Sequence, residues 1–207
     1  RSPLAVILSS VQAMESDWEN AGRFLKTIKS EGDRMSRLIG DMLSLANADN
    51  KSWSIMKADC ELDTLLLDTY EKYQPILHEK KISLKVVLPE EPLSICKCDS
   101  ARISQVLGIL LDNGASYVSV GGRMEMGVKE NEKYFQLYVQ DNGPGISDEN
   151  KEAVFRRFYR ADPARKEKQH FGLGLCIARE IVTLHKGSIR ILDTPGGGST
   201  FVIRLPK

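Results

Sequence analysis

An acidic residue at the end of an alternating strand pattern is the first candidate for chemistry. Over 134–146 (YFQLYVQDNGPGI), Phe135, Leu137 and Val139 alternate with Tyr134, Gln136, Tyr138 and Gln140, the two-residue period of a half-buried strand. Asp141 shares the parity of the apolar residues. A continued strand would aim its carboxylate inward, where it needs donors. Gly143, Pro144 and Gly145 follow, a backbone that bends sharply and admits a close approach. Taken alone, the segment reads most simply as a strand ending in an Asx turn.

Three further features fall in order around it. The pattern predicts a helix from Asp99 or Ser100 to Tyr117, with Ile103, Val106, Leu107, Leu110 and Gly114 facing a core. Its flank carries Ile109, Asn113, Ser116 and Tyr117, so an amide oxygen suited to a hard cation lies beside a flat ring. A second helix is predicted over 172–185, with Gly172 and Gly174 at its start. Free N–H groups and the helix dipole make an anion site there. Gly196, Gly197 and Gly198, then Ser199 and Thr200, form a second glycine turn leading into a strand. Each feature alone is ordinary, since a glycine at a helix start usually serves packing and a helical Asn is usually solvated. Together they form an ordered set.

The elements that must position this set follow from the rest of the chain. Its 207 residues suffice for one large or two small domains. With 29 basic and 28 acidic residues the net charge is +1, which offers no electrostatic case for nucleic acid or an anionic membrane surface. The longest apolar runs, such as 4–8, are far too short to span a bilayer, and no signal peptide is visible. The chain starts at Arg1, inside what reads as a helix, and is expected to be a fragment of something longer. Cys60, Cys96, Cys98 and Cys176 read as reduced structural thiols, because a CxC without further nearby Cys or His is not a zinc spacing.

Leu4, Ile7, Val11 and Met14 predict a first helix, with Pro3 tolerated in its first turn. Residues 15–20 make a short connection. Leu25, Ile28, Gly32, Met35, Ile39, Met42 and Ala46 then keep a heptad rhythm. The expectation is an antiparallel hairpin whose broad apolar stripe is buried in a four-helix bundle with a second copy, a homodimer. A polar linker over 48–54 separates domains 1–50 and 51–207. The second domain is read as a strand within 54–61, a helix over 62–80 containing Pro75, and strands at 82–88 and 93–98 separated by the PEEP turn. Next come the 100–117 helix, a hairpin of 123–129 and 134–140, a short helix over 149–159 and a charged loop over 160–171. The 172–185 helix and a last hairpin of 188–192 and 200–205 complete it. The fold class is α+β: a helical hairpin, then a sandwich of a mixed, largely antiparallel sheet covered by helices on one face.

The set resembles the sensor histidine kinases of two-component systems, within the wider ATPase superfamily that includes DNA gyrase and ATP-driven clamp chaperones. ILLDNGASY resembles the N box, DNGPGI the first glycine box, FRRFYRAD the phenylalanine box, GLGLCIAREIVTLHKG the second glycine box and GGGSTF the last. RSPLAVI resembles the end of the phosphoacceptor box. The resemblance covers essentially the whole chain, and the order and spacing of the boxes are highly specific.

The resemblance implies ATP and Mg²⁺ as cofactors. Asp141 would accept the adenine amino group, Gly143 and Gly145 would let the base lie against the loop, and Ile146 and Tyr117 would contact it. Asn113 would ligate Mg²⁺. Gly172, Leu173 and Gly174 would hold phosphates, and Thr200 would belong to the pocket. Arg157 and Arg160 are candidates to reach the γ-phosphate, and 160–171 would be the ATP lid. A response-regulator receiver domain would be the partner, with no nucleic acid and no membrane contact by these residues. The parent protein would be a membrane-anchored sensor of which this is a cytoplasmic portion. The phosphoacceptor histidine would lie three residues before Arg1, and Ser2 would occupy the position associated with phosphatase activity.

The departures are specific. Ile109 stands where an asparagine is usual, Ser116 where a lysine or arginine is usual, and His170 and Phe171 where a glycine and a small residue are usual. Arg165, Lys166 or Lys168 are candidates to replace the missing cation. These departures motivate one alternative, a degenerate kinase acting as a dimeric signalling scaffold. A second, an ATP-driven clamp, is opposed by the heptad hairpin and by Ile109 at the general-base position.

Overall fold

The structure, a computed structural model, describes residues 2–49, 54–159 and 171–207. The chain divides into two compact units, Arg1–Trp53 and Ser54–Lys207.

In the first unit, α1 (Pro3–Ser16) starts at Ser2, whose Oγ accepts from the Ala5 N–H at 3.3 Å. Pro3 sits in the first turn, where a missing N–H removes no helical bond. Asp17 ends α1 and folds Trp18–Asn20 into a 3-10 turn, its carboxylate accepting from the Asn20 N–H at 3.3 Å and side-chain amide at 2.8 Å. α2 (Ala21–Asp49) follows and packs on α1. Its 29 residues make a rod about 44 Å long. Leu4, Leu8, Leu25, Ile39, Met42 and Leu43 all stay exposed, so the hairpin leaves an apolar stripe uncovered in a single chain.

In the second unit, β1 (Ala58–Cys60) precedes α3 (Leu62–Glu79) and β2 (Ser83–Val87). β3 (Cys96–Cys98) leads into α4 (Ser100–Tyr117). The hairpin of β4 (Arg123–Glu130) and β5 (Tyr134–Asp141) comes next, then the short α5 (Asp148–Ala153). α6 (Gly174–Leu184), β6 (Ser188–Asp193) and β7 (Ser199–Pro206) complete the chain. The main sheet has the order β2-β4-β5-β7-β6, with only β2 and β4 parallel. Phe135, Leu137 and Val139 of β5 are at most 2% exposed, while Tyr134, Gln136, Tyr138 and Gln140 between them are half-buried. That alternation is the signature of a sheet covered on one face; α3, α4 and α6 supply the cover.

Several expectations change. The strand within 54–61 shrinks to three residues, and the two strands around PEEP do not pair with each other. β3 pairs with β1 in a separate two-stranded ribbon, and β2 joins the main sheet beside β4. Pro75 lies inside α3, which continues to Glu79. The 149–159 helix stops at Ala153, because the chain turns so that the Phe158 N–H donates to the Gly172 carbonyl at 2.9 Å, with Phe158 left-handed at φ +61°. Among the described residues no helix is long and apolar enough to cross a membrane.

One buried polar contact links the ends of α4 and α6. His185 is 2% exposed and caps α6. Its Nδ1 lies 2.8 Å from the Ile181 carbonyl and its Nε2 accepts the Asp99 N–H at 3.0 Å. A carbonyl only accepts, so Nδ1 carries the proton and the ring is neutral in this arrangement. Asp99 in turn caps α4 through the Arg102 N–H at 3.1 Å. The C-terminus of one site helix is thus tied to the N-terminus of the other.

Candidate functional site

Asp141 ends β5 with its side chain on the helix-covered face, as its parity with Phe135, Leu137 and Val139 requires. It is 7% exposed. Oδ1 accepts the Gly143 N–H at 2.8 Å and the Ser199 N–H at 3.3 Å. Burial pushes the carboxyl above the ordinary carboxylate range, and the two backbone donors oppose that rise. Both of these bonds fall on Oδ1, which leaves Oδ2 as the oxygen to meet a donor on a ligand. The following residue, Asn142, turns outward and closes on β4, its Oδ1 accepting the Arg123 N–H at 2.7 Å.

The glycine turn before β7 closes over this corner. Gly198 has φ +107°, and a Cβ there would stand 2.0 Å from the Asp141 carbonyl oxygen. Only glycine fits, and this fit carries the Ser199 N–H to the carboxylate. Across the loop, a Cβ on Gly145 would stand 3.3 Å from the Gly198 carbonyl, so the two glycine turns stack backbone to backbone. Sequence reasoning identified the 196–198 turn but missed its target. Three successive glycines before a strand signalled close approach without saying what was approached.

α4 measures out the site. Near its end, a Cβ on Gly114 would lie 3.8 Å from Asp141 Cβ and collide with the end of Met124. Earlier on the same helix, Ile109 Cγ2 lies 3.1 Å from the place of a Cβ on Gly174. Five residues separate Ile109 from Gly114, about 7.5 Å along the axis. Asn113 and Tyr117, both half-buried, lie on the flank that Ile109 begins. α4 therefore reaches from the buried carboxylate to the N-terminus of α6.

That N-terminus differs from the expected one. α6 begins at Gly174 with Leu173 as its cap, and Gly172 lies outside the helix at φ +73°. A Cβ on Gly172 would stand 2.7 Å from the Tyr159 carbonyl, so the glycine is needed for the turn after α5 to dock. Leu173 is fully buried and anchors the helix start, whose first N–H groups and dipole are of the kind that suits an anion.

The remaining expected residues are placed as follows. Ile146 is half-buried in the loop after β5. Thr200 faces Gln140 in the β5–β7 ladder, and its hydroxyl is 2.9 Å from that of Thr194 rather than in contact with Asp141. Arg157 is exposed in the turn after α5. Ser116 donates to the Asp112 carbonyl at 2.9 Å, so its hydroxyl folds back on its own helix. Ser2 belongs to the other unit, where its hydroxyl caps α1. Arg160, Arg165, Lys166, Lys168 and His170, and with them the lid except for Phe171, fall outside the described residues, as does most of the 48–54 linker. Among the described residues no group of three His, Cys, Asp or Glu could hold a metal ion. A cation at Asn113 would therefore share that amide oxygen with oxygens of a bound ligand.

The arrangement offers a buried acceptor, a flat ring and a helix N-terminus in sequence along one helix, which fits a nucleoside phosphate. Residues 98–207 match the family model of the histidine kinase-, DNA gyrase B-, and HSP90-like ATPases, and residues 1–51 match that of the His Kinase A (phospho-acceptor) domain. The chain is 35% identical over 216 residues to sensor histidine kinase WalK of Bacillus subtilis, covering 100% of this chain and 34% of WalK. It is 32% identical over 212 residues to sensor protein SrrB of Staphylococcus aureus, covering 100% of this chain and 36% of SrrB. The chain thus spans about a third of the length of these relatives. The catalytic domain of histidine kinase ThkA, nucleotide-free, superposes with a TM-score of 0.66 at 25% identity, over 73% of this chain and 96% of that one. Histidine kinase AdeS of Acinetobacter baumannii shares the fold with a TM-score of 0.79 at 22% identity, over 100% of this chain and 95% of that one. ThkA in complex with response regulator protein TrrA shares it with a TM-score of 0.79 at 22% identity, over 100% of this chain and 58% of that one.

Proposed function

Since the chain belongs to the two-component sensor histidine kinases, with their histidine kinase-, DNA gyrase B-, and HSP90-like ATPase domain, we propose that it forms the catalytic core of such a kinase and transfers the γ-phosphoryl group of ATP to a histidine. That histidine is expected three residues before Arg1. The phosphoryl group then passes to an aspartate of a response-regulator receiver domain. The partner is proposed by analogy with ThkA, whose structure was solved with the response regulator TrrA.

The observation that carries this reading is the Asp141 carboxylate, with Oδ1 held by two backbone N–H groups and Oδ2 left for a ligand donor. The exocyclic amino group of adenine is such a donor. In this reading Gly143, Gly145, Ile146 and Tyr117 receive the base. The start of α6, at Gly172, Leu173 and Gly174, takes the phosphates, and Asn113 supplies an oxygen to Mg²⁺, which would neutralise charge on them. Thr200 supports the pocket wall through Thr194. Arg157 and Arg160 are proposed γ-phosphate contacts, and Ser2 is the proposed phosphatase position.

Residues 1–50 are assigned as the dimerisation and phosphotransfer hairpin and 51–207 as the ATP-binding domain. The uncovered stripe of Leu4, Leu8, Leu25, Ile39 and Met42 supports a homodimer through a four-helix bundle. The parent is proposed as a membrane-anchored sensor with this portion in the cytoplasm. A scaffold with weak turnover is the second reading, favoured by the Ile109 side chain at the start of α6 and by Ser116 bonded to its own helix.

The test is to incubate the protein, extended to include the residues before Arg1, with γ-labelled ATP and Mg²⁺. Acid-labile label on the protein supports the kinase. Nucleotide binding without labelling selects the scaffold, and neither binding nor labelling overturns both readings.

A further inference from the structure

Three of the four cysteines meet on one face of the β1–β3 ribbon, away from the proposed nucleotide pocket. In the antiparallel register Cys60 stands directly opposite Cys96, and Cys98 follows two residues on, so all three side chains point the same way. All three are free thiols and buried. Directly opposed residues in such a ladder have Cα atoms about 4.5–5.5 Å apart, within the span of a disulfide. The Cys98 thiol hydrogen-bonds to both Cys60 and Cys96, but the diagonal Cys60–Cys98 pair has Cα atoms about 7–8 Å apart, beyond the span of a disulfide without backbone movement. A cavity of about 470 Å³ reaches the ribbon, and Cys60 is in its wall with Asp59, Glu61, Thr64 and Asp68. Cys96 and Cys98 do not line it. The cluster therefore has one thiol open to a small molecule and a second, correctly spaced, behind it.

We propose that Cys60 and Cys96 form an oxidisable dithiol, a modification site at which hydrogen peroxide entering the cavity is reduced and the two strands become covalently joined. The Cys60 thiolate attacks one peroxide oxygen, releasing hydroxide and leaving a sulfenic acid. The Cys96 thiolate then attacks the Cys60 sulfur and expels its oxygen as hydroxide. Two thiols and one peroxide give one disulfide and two waters. The environment suits these roles. Cys96 is held below the usual thiol range by a hydrogen bond from Cys98 and by the Lys57 charge, as a resolving thiolate requires. Burial pushes the Cys60 thiol up, so the first step is slower than at an exposed thiolate. The bond would fix the chain one residue before the Glu61 cap of α3 and three before the Asp99 cap of α4.

The experiment is peroxide treatment of the native protein, alkylation of the remaining thiols and tryptic mapping without reductant. Cleavage after Lys57, Lys72, Lys85, Lys97 and Arg102 places Cys60, Cys96 and Cys98 on separate peptides, 58–72, 86–97 and 98–102. The expected result is a cross-linked 58–72/86–97 pair, with the free-thiol count falling from four to two. Cys98→Ser and Cys176→Ser should keep the cross-link, while Cys60→Ser and Cys96→Ser should lose it. The proposal is overturned by a Cys60–Cys98 or a Cys96–Cys98 bridge, by oxidation of Cys176 before the ribbon, by cross-linking only in denaturant, or by zinc co-purifying on the thiols. Mapping of the unmutated protein decides between these outcomes even where a serine variant fails to fold.

Discussion

The Ser199 backbone N–H lies 3.3 Å from Oδ1 of Asp141, across 58 residues of chain. The contact exists because Gly198 lets its backbone press on the Asp141 carbonyl. One strand end is thereby stitched to the beginning of another, and the carboxylate is held with one oxygen to spare.

Gly198→Ala should be severe. A Cβ would meet the Asp141 carbonyl oxygen, and φ +107° is strained for any L residue. Gly196→Ala also carries strain, at φ +87°, but has no atom within 4 Å of its Cβ. Thermal melts should show Gly196→Ala costing about 1–2 kcal/mol and Gly198→Ala clearly more. Equal losses would mean that the turn does not press on Asp141.

Asp141→Asn should separate binding from stability. The folded carboxyl is raised by burial, so ionising it costs folding energy above its unfolded value of 3.8, and that cost is relieved as pH falls through the raised folded value. The Asn variant without nucleotide should therefore be as stable as the parent or slightly more so at neutral pH. Nucleotide affinity of the parent should weaken as pH falls through that raised folded value, because the acceptor takes up a proton. Calorimetric titration and denaturant melts as a function of falling pH check both statements.

Ile109 and Gly174 should be energetically coupled. Gly174→Ala places a methyl group 3.1 Å from Ile109 Cγ2, a contact that one of them must yield. Ile109→Ala removes the obstruction. A double-mutant cycle in stability should give an interaction of about 0.5–2 kcal/mol, with the double variant better than the sum of the singles. Strict additivity would place Ile109 away from the start of α6.

His185→Leu should destabilise the second unit. The Asp99 N–H would lose its acceptor, at a cost of about 1–3 kcal/mol, while the Ile181 carbonyl would keep only the backbone N–H of residue 185. Urea unfolding measures it, and His185→Gln, which retains polar atoms, should lose less.

Much of this was legible in the sequence because local period and site chemistry agreed. The β5 alternation put Asp141 on the apolar parity, and in the structure that parity is the buried face. The heptad in 25–46 predicted a long helix, and α2 is one. What was not legible depended on partners far along the chain. Nothing local tells β3 to leave the PEEP turn and pair with β1, because a three-residue strand carries too little pattern to choose. The early end of α5 depends on Gly172 capturing the Phe158 N–H, a bond between segments that sequence period cannot link. Nothing in the local pattern marks His185, yet its ring ties the end of α6 to the start of α4. Helix α6 was expected to include Gly172, and only the positive φ of that residue shows why it cannot.

Titration of the protein with ATP and Mg²⁺ by calorimetry, beside the Asp141→Asn variant, tests the central claim most directly. The account predicts one nucleotide per chain for the parent and at least a tenfold weaker isotherm for the variant, about 1.4 kcal/mol or more, at unchanged oligomeric state. Equal affinity in the two proteins, or no binding by the parent, would contradict it.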